Sequence, residues 1–251
     1  MSAVRARRPL AAANWKMHLL RADAERYCAA LRAGLPAAPA AEVVLFPSFP
    51  LLPPVAAALG GAPVAWGGQD LHAAEKGAHT GDVAGAQLAD AGCTWVLCGH
   101  SERRRDHGEG DAAVAAKVAA AVRDGLQPLL CLGETREERH AGQTFAVLER
   151  QLREGLASRP ERFAVAYEPV WAIGTGETAT PELAAEAHAF LRGQLAALGF
   201  PAAAVRILYG GSVTPENAGE LAAREEIDGF LVGGASLDPG RFLDIISRLG
   251  A

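Results

Sequence analysis

The chain has 251 residues, half of them hydrophobic and only 6% aromatic, so a sizeable core of Ala, Val and Leu is available and a largely disordered chain is excluded. Its formal net charge of −5 argues against a polyanion-coating protein, because nucleic-acid binders concentrate Lys and Arg on one face. Four cysteines (Cys28, Cys93, Cys98 and Cys131) include no Cys-x-x-Cys pair and read as buried thiols of a reducing compartment. The basic stretch Met1 to Arg8 leads into an apolar run too short for a signal peptide or a membrane span, so the expectation is a cytoplasmic protein with no membrane or nucleic-acid partner.

Read from the N-terminus, short apolar runs alternate with Ala-rich stretches of helical spacing. The runs fall at 10–13, 43–46, 64–66, 95–98, 129–132, 163–167, 207–209 and 230–232, and the helical spacing is clearest at 112–122, 145–156 and 182–198. Three helix starts carry a capping residue followed by proline, at Thr180-Pro181, Thr214-Pro215 and Asp238-Pro239. Strand and helix pairs without a long linker imply a parallel sheet covered by helices, and eight is the number that closes on itself. The expected fold is α/β, a single (β/α)8 barrel over residues 1–251.

The polar residues at the ends of these runs carry the functional signal. Asn14 and Lys16 follow the first run, His100 the fourth, Glu168 the sixth, Ser212 the seventh and Gly233-Gly234 the eighth. All strands of a parallel barrel point the same way, so these residues converge on one rim. On an extended chain the Asn14-Trp15-Lys16 spacing sends Asn14 and Lys16 to one face. The stretch from Ala166 to Ile173, running into Gly174-Thr175-Gly176, mounts one carboxylate at a strand end and follows it with a stiff Pro-Val-Trp hinge and a small-residue loop. A general base beneath a mobile lid is built in this way, since abstraction of a proton from carbon needs shielding from water. In such a closed, dry pocket a carboxylate is expected to become a stronger base. Taken singly, a strand-end Glu is usually a solvated rim residue, a His after a strand a structural one, and a Gly-Gly pair a plain turn; the shared rim and the attached lid favour a site.

Six segments together resemble the triosephosphate isomerase family: Asn14-Trp15-Lys16-Met17, Cys98 through Arg104, Cys131-Leu132-Gly133-Glu134, Ala166 through Gly176, Tyr209 through Val213, and Val232-Gly233-Gly234-Ala235. They span nearly the whole chain in order. The resemblance implies an aldose–ketose isomerase of glycolysis and gluconeogenesis, interconverting glyceraldehyde 3-phosphate and dihydroxyacetone phosphate through an enediolate with no cofactor and no metal. It implies that Glu168 is the base, His100 the hydrogen-bond donor to the enediolate, Lys16 a fixed positive charge and Asn14 a further donor. Ser101, Glu102 and Cys131 support them, Ser101 and Glu102 by opening a helical turn whose N-terminus favours a neutral imidazole. The phosphate falls to Asn14, Lys16, Gly174, Ser212, Gly233 and Gly234, with Gly210 and Gly211 beside them. The lid comprises Pro169, Val170, Trp171, Ala172, Ile173, Gly174, Thr175, Gly176, Glu177, Thr178 and Ala179. Residues 68–82 are expected to insert into a second copy in a homodimer, with Thr80 reaching the partner site.

Two competing motifs are set aside. Residues 174–179 satisfy a relaxed dinucleotide fingerprint but do not leave a strand directly and lack a ribose-binding acid. His72, Glu75 and His79 are metal-ligand types, yet Gly77 and the loop-like composition argue against a helical metal site. Two other functions stay open: an isomerase of a four-carbon ketose phosphate with the same base, and a non-enzymatic phosphosugar sensor, against which the four chemical residues argue. The chain departs from the family pattern at Glu177, where lysine is common, at Asp70 for asparagine, at Asp82 for glutamate, and at His79 and His107 for aromatic residues. These touch lid motion and interface strength, and leave the chemistry alone.

Overall fold

A computed structural model of the chain describes residues 7–172 and 179–250. The elements run β1 (Leu10–Asn14), α1 (Arg21–Gly34), β2 (Glu42–Phe46), α2 (Leu52–Leu59), β3 (Ala65–Gly68), α3 (Gly85–Asp90), β4 (Trp95–Cys98), α4 (Ser101–His107), α5 (Asp111–Arg123) and β5 (Gln127–Leu132). They continue with α6 (Arg136–His140), α7 (Thr144–Gly155), β6 (Ala164–Tyr167), α8 (Pro181–Ala197), β7 (Arg206–Tyr209), α9 (Pro215–Ala222), β8 (Gly229–Val232) and α10 (Pro239–Leu249). The eight strands form a closed barrel in chain order, every pair parallel, with β1 hydrogen-bonded to both β2 and β8. This is the (β/α)8 architecture expected from the sequence.

The strands read as unbroken apolar runs because both of their faces are buried. Alternate residues such as Leu10, Ala12, Val44, Phe46, Trp95, Leu97, Leu129, Ala164, Ala166, Leu208 and Leu231 fill the barrel interior. Their neighbours, including Ala11, Ala13, Val43, Leu45, Val96, Leu130, Val165, Ile207 and Phe230, pack outward against the helices. Caps fix where helices begin: Thr180 accepts from Leu183 N–H at 3.3 Å and Asp238 from Arg241 N–H at 2.8 Å, while Asn217 closes on Thr214 N–H at 2.8 Å.

Two departures from the sequence reading have clear causes. β3 lies later than the apolar run 64–66, extending through Gly67 and Gly68, which carry no hydrophobic signal. Glycine is required there, since a Cβ on Gly67 would sit 2.4 Å from Trp95 O on the adjacent strand. The short helices α4 and α6 interrupt the simple alternation at the rim after β4 and β5. Among the described residues no helix is long and apolar enough to cross a membrane.

Candidate active site

The interior alternation of each strand decides what stands at the barrel mouth. Asn14, Glu168, Gly210 and Gly233 each come two residues after an interior core residue, namely Ala12, Ala166, Leu208 and Leu231. Each therefore continues the inward-facing row past the last packed layer. His100 arrives differently, as the N-cap residue of α4. Asn14, Lys16, His100, Glu168, Ser212, Gly233 and Gly234 all line one cavity of about 540 Å³, so seven residues from five strand ends meet as the sequence suggested. The predicted residues Ile173, Gly174, Thr175, Gly176, Glu177 and Thr178 lie outside the described residues.

Asn14 and Lys16 do not share the face of an extended chain, as their spacing suggested. β1 stops at Asn14, and Lys16 has φ of 51°, a left-handed conformation rather than extended chain. What holds the turn is Asn14 Oδ1, which accepts Lys16 N–H at 3.0 Å. The turn aims the lysine across the mouth, where its Nζ binds Glu102 Oε1 at 2.7 Å.

Glu168 is 2% exposed and both carboxylate oxygens are engaged. Oε1 lies 3.0 Å from His100 Nε2, and Oε2 accepts the Ser101 N–H at 2.9 Å. Ser101 thus contributes through its backbone. Burial alone would raise the carboxyl pKa, but His100 and the Ser101 N–H outweigh it and hold Glu168 below the usual carboxylate value. The expectation of a strengthened base is therefore not met in this arrangement, because hydrogen-bond donors, and not apolar walls, face the oxygens.

The same contacts define the imidazole. Nδ1 of His100 accepts the Glu102 N–H at 3.2 Å, at the N-terminus of α4. A proton on Nδ1 would lose that bond and face the positive end of the helix, so the helix favours the neutral ring with its proton on Nε2. Burial pushes the His100 pKa down while the Glu168 and Glu102 carboxylates push it up, the net rise holding while Glu168 lies against the ring. Departure of Glu168 would remove the larger of those two upward contributions.

Space and hinges around Glu168 are equally constrained. A Cβ on Gly133 would stand 1.7 Å from the Glu168 carbonyl oxygen, so only glycine lets the chain leaving β5 pass so close to Glu168. Glu134, buried next to it, accepts from Trp171 Nε1 at 2.8 Å and Tyr167 Oη at 3.2 Å. Arg139 lies over the Trp171 ring at 4.3 Å. Pro169 to Ala172 are thereby anchored to the barrel wall. Cys131 is buried, does not line the cavity, and has its carbonyl bound by Arg104, which also grips Gly99 O at 2.8 Å and so braces the approach to His100.

Sequence reasoning missed Glu134, Thr214, Leu231 and Arg241. The last three line the cavity. Glu134 stood inside a quoted motif but carried no charge-pattern signal, and Arg241 lies in a helix instead of at a strand end.

The loop over residues 68–82 encloses a second cavity of about 590 Å³ that shares no lining residue with the first. It brings His72 and His79 together with Asp82, not with Glu75; their ligand-type atoms lie within 4.8 Å. His72 Nδ1 accepts the Ala74 N–H at 3.0 Å, which puts the ring proton on Nε2, the atom facing Asp82. That tautomer opposes ligation of a cation. Asp70 is drawn the other way, into contacts with Lys117 at 2.6 Å and Arg103 at 3.0 Å, with burial pushing its carboxyl pKa up.

Comparison with known proteins agrees with this geometry. A model of the triosephosphate isomerase family matches residues 9–249. The triosephosphate isomerase of Xanthobacter flavus is 50% identical over 249 residues, covering 97% of this chain and 98% of that protein. That of Nitratidesulfovibrio vulgaris is 52% identical over 248 residues, covering 94% and 98%, and that of Coxiella burnetii 48% over 249 residues, covering 95% and 96%. With the family model spanning nearly its whole length and relatives of about half its sequence covered end to end, the chain belongs to the triosephosphate isomerase family.

Proposed function

We propose that the chain interconverts glyceraldehyde 3-phosphate and dihydroxyacetone phosphate without a cofactor, the step of glycolysis and gluconeogenesis for which its family is named. One observation carries the reading: a buried carboxylate, Glu168, and a neutral imidazole N–H, His100 Nε2, lie 3.0 Å apart at a cavity that also holds Lys16. The reaction moves one proton between neighbouring carbons and one between their oxygens. Glu168 removes the first proton from carbon, placing negative charge on the carbonyl oxygen. His100 Nε2–H and the Lys16 ammonium stabilise that enediolate, and His100 exchanges the second proton between the two oxygens. Glu168 then returns its proton to the other carbon. Before this it must leave His100 and Ser101, and burial without those donors raises its basicity toward the expected role.

The phosphate is assigned to the cradle of Ser212, Gly233, Gly234 and the N-terminus of α9, with Lys16 close by; a Cβ on Gly233 would contact Lys16 Cε at 3.4 Å. The homodimer belongs to the same proposal. Met17 and Leu20 are 94% and 76% exposed beside the mouth, apolar surface that a partner would cover. Gln69, at the start of the 68–82 loop, donates to Lys16 O at 2.8 Å, so a partner seated on that loop, or the loop's Thr80 reaching a partner, would bear on the site. A cytoplasmic setting is supported by four buried, unpaired cysteines.

The test compares isomerisation of three- and four-carbon ketose phosphates and follows deuterium from solvent into the carbons flanking the carbonyl. Fast turnover of the triose phosphates with exchange is expected. A preference for the four-carbon compound, or binding without turnover, would replace the reading by one of its two rivals.

A further inference from the structure

The cavity assigned to the phosphate is lined by two cations held in different ways. Lys16 is bound to Glu102 at 2.7 Å, so its charge is largely matched before any ligand arrives. Arg241 stands in the first turn of α10, just after the Gly233-Gly234 turn, and its ion-pair contact among the described residues is Glu216 at 3.9 Å, with side chains 50% and 75% exposed. That separation is too long for a hydrogen bond, and a contact between two wet side chains is weak. The Asp238 cap on Arg241 N–H fixes the turn at 2.8 Å, and side chains in a first turn tilt toward the helix N-terminus, here toward the cavity.

A phosphate monoester near pH 7 carries close to two negative charges. One lysine already paired with a carboxylate matches it poorly. We propose that Arg241 is a second cation for the substrate phosphate, a binding residue whose guanidinium fork leaves Glu216 for the dianion and so tunes affinity for phosphorylated over unphosphorylated substrates. This rests on the sugar-phosphate reading of the cavity. Glu216 is then a competitor, an internal carboxylate that the phosphate displaces.

Two measurements separate the claims: steady-state kinetics with glyceraldehyde 3-phosphate, and titration with inorganic phosphate, which needs no turnover. Arg241→Ala is expected to raise KM and the inhibition constant for phosphate by about fivefold, the order of one partly exposed charge pair. Arg241→Lys should restore most of the loss and Glu216→Gln should shift both constants the opposite way. In the Arg241→Ala background the Glu216→Gln effect should shrink. Unchanged phosphate binding in Arg241→Ala overturns the proposal. So does equal weakening by both single substitutions, which marks a latch between α9 and α10. A wild-type protein that binds phosphate through Arg241 yet isomerises nothing would instead sink the functional reading beneath it.

Discussion

His188 makes the fold's acid sensitivity calculable. It is fully buried in α8, with the Tyr167 and Tyr209 rings 6.0 and 6.4 Å away. Its Nδ1 lies 3.1 Å from the Glu226 carbonyl, which only accepts, so Nδ1 carries the proton and Nε2 is left as a buried acceptor with no partner among the described residues. Burial is the main cause that pushes its pKa down from 6.5 to about 4, the Glu226 carbonyl opposing in part. The folded pKa lies below the unfolded one, so between these values the unfolded chain takes up a proton that the native chain refuses. Stability from this group is thus complete above pH 6.5 and declines as pH falls toward 4. A gap of about 2.5 units at 1.36 kcal/mol each corresponds to about 3 kcal/mol. Urea unfolding from pH 7 to 4.5, at fixed protein concentration, should show wild type losing stability more steeply than His188→Gln by up to about that amount. The variant will be less stable at pH 7, but the difference in slope is the readout, and it cancels the carboxylates common to both. Parallel profiles, or an NMR titration placing His188 near 6.5, would refute the burial argument.

Glu168→Gln keeps the shape and loses basicity, so kcat should fall by roughly 4 kcal/mol of transition-state stabilisation or more while a phosphate-bearing carboxylate inhibitor still binds; undiminished solvent exchange would mean another base. Gly233→Val puts a side chain against Lys16 in the proposed cradle, and kinetics should show KM rising at least tenfold with a lower kcat, because phosphate binding also drives closure. Gly133→Ala forces a methyl into the Glu168 carbonyl and should cost about 1–3 kcal/mol in denaturant unfolding and reduce kcat, whereas a silent substitution would show that the strands part easily. Shortening the 68–82 loop should give a monomer by light scattering with little activity, and a fully active monomer would remove the partner from the mechanism.

What the sequence made legible follows from strand geometry. A strand buried on both faces leaves an unbroken apolar run, and the first polar residue on its inward row must emerge at the mouth, which is how Asn14 and Glu168 could be found without coordinates. β3 was blurred because Gly67 is chosen for the closeness of Trp95 and Gly68 for that of Leu88, and not for hydrophobicity. Lys16 was placed correctly for the wrong reason, since an Asn side chain bending the chain leaves the same spacing as an extended strand. Contacts across the rim left no trace: the Lys16–Glu102 pair joins residues 86 apart, and Arg241 reaches the cavity from a helix whose pattern announces only an amphipathic face.

The depressed carboxyl of Glu168 shows why side-chain placement matters as well as burial. A dry pocket strengthens a carboxylate only if nothing in it donates hydrogen bonds, and here the neutral His100 and the first free N–H of α4 both point at Glu168. In the proposed reaction His100 is also the donor that a developing enediolate needs. In the resting chain, then, the proposed base occupies a donor proposed for the intermediate, and it is held weak by that donor and by the Ser101 N–H. A substrate that takes over the His100 hydrogen bond does two things in one movement: it supplies the oxygen on which charge will grow, and it strips from Glu168 the contacts that depress its basicity. Coupling of this kind would require no separate switch, because in the proposed reaction the same Nε2–H serves carboxylate and substrate in turn.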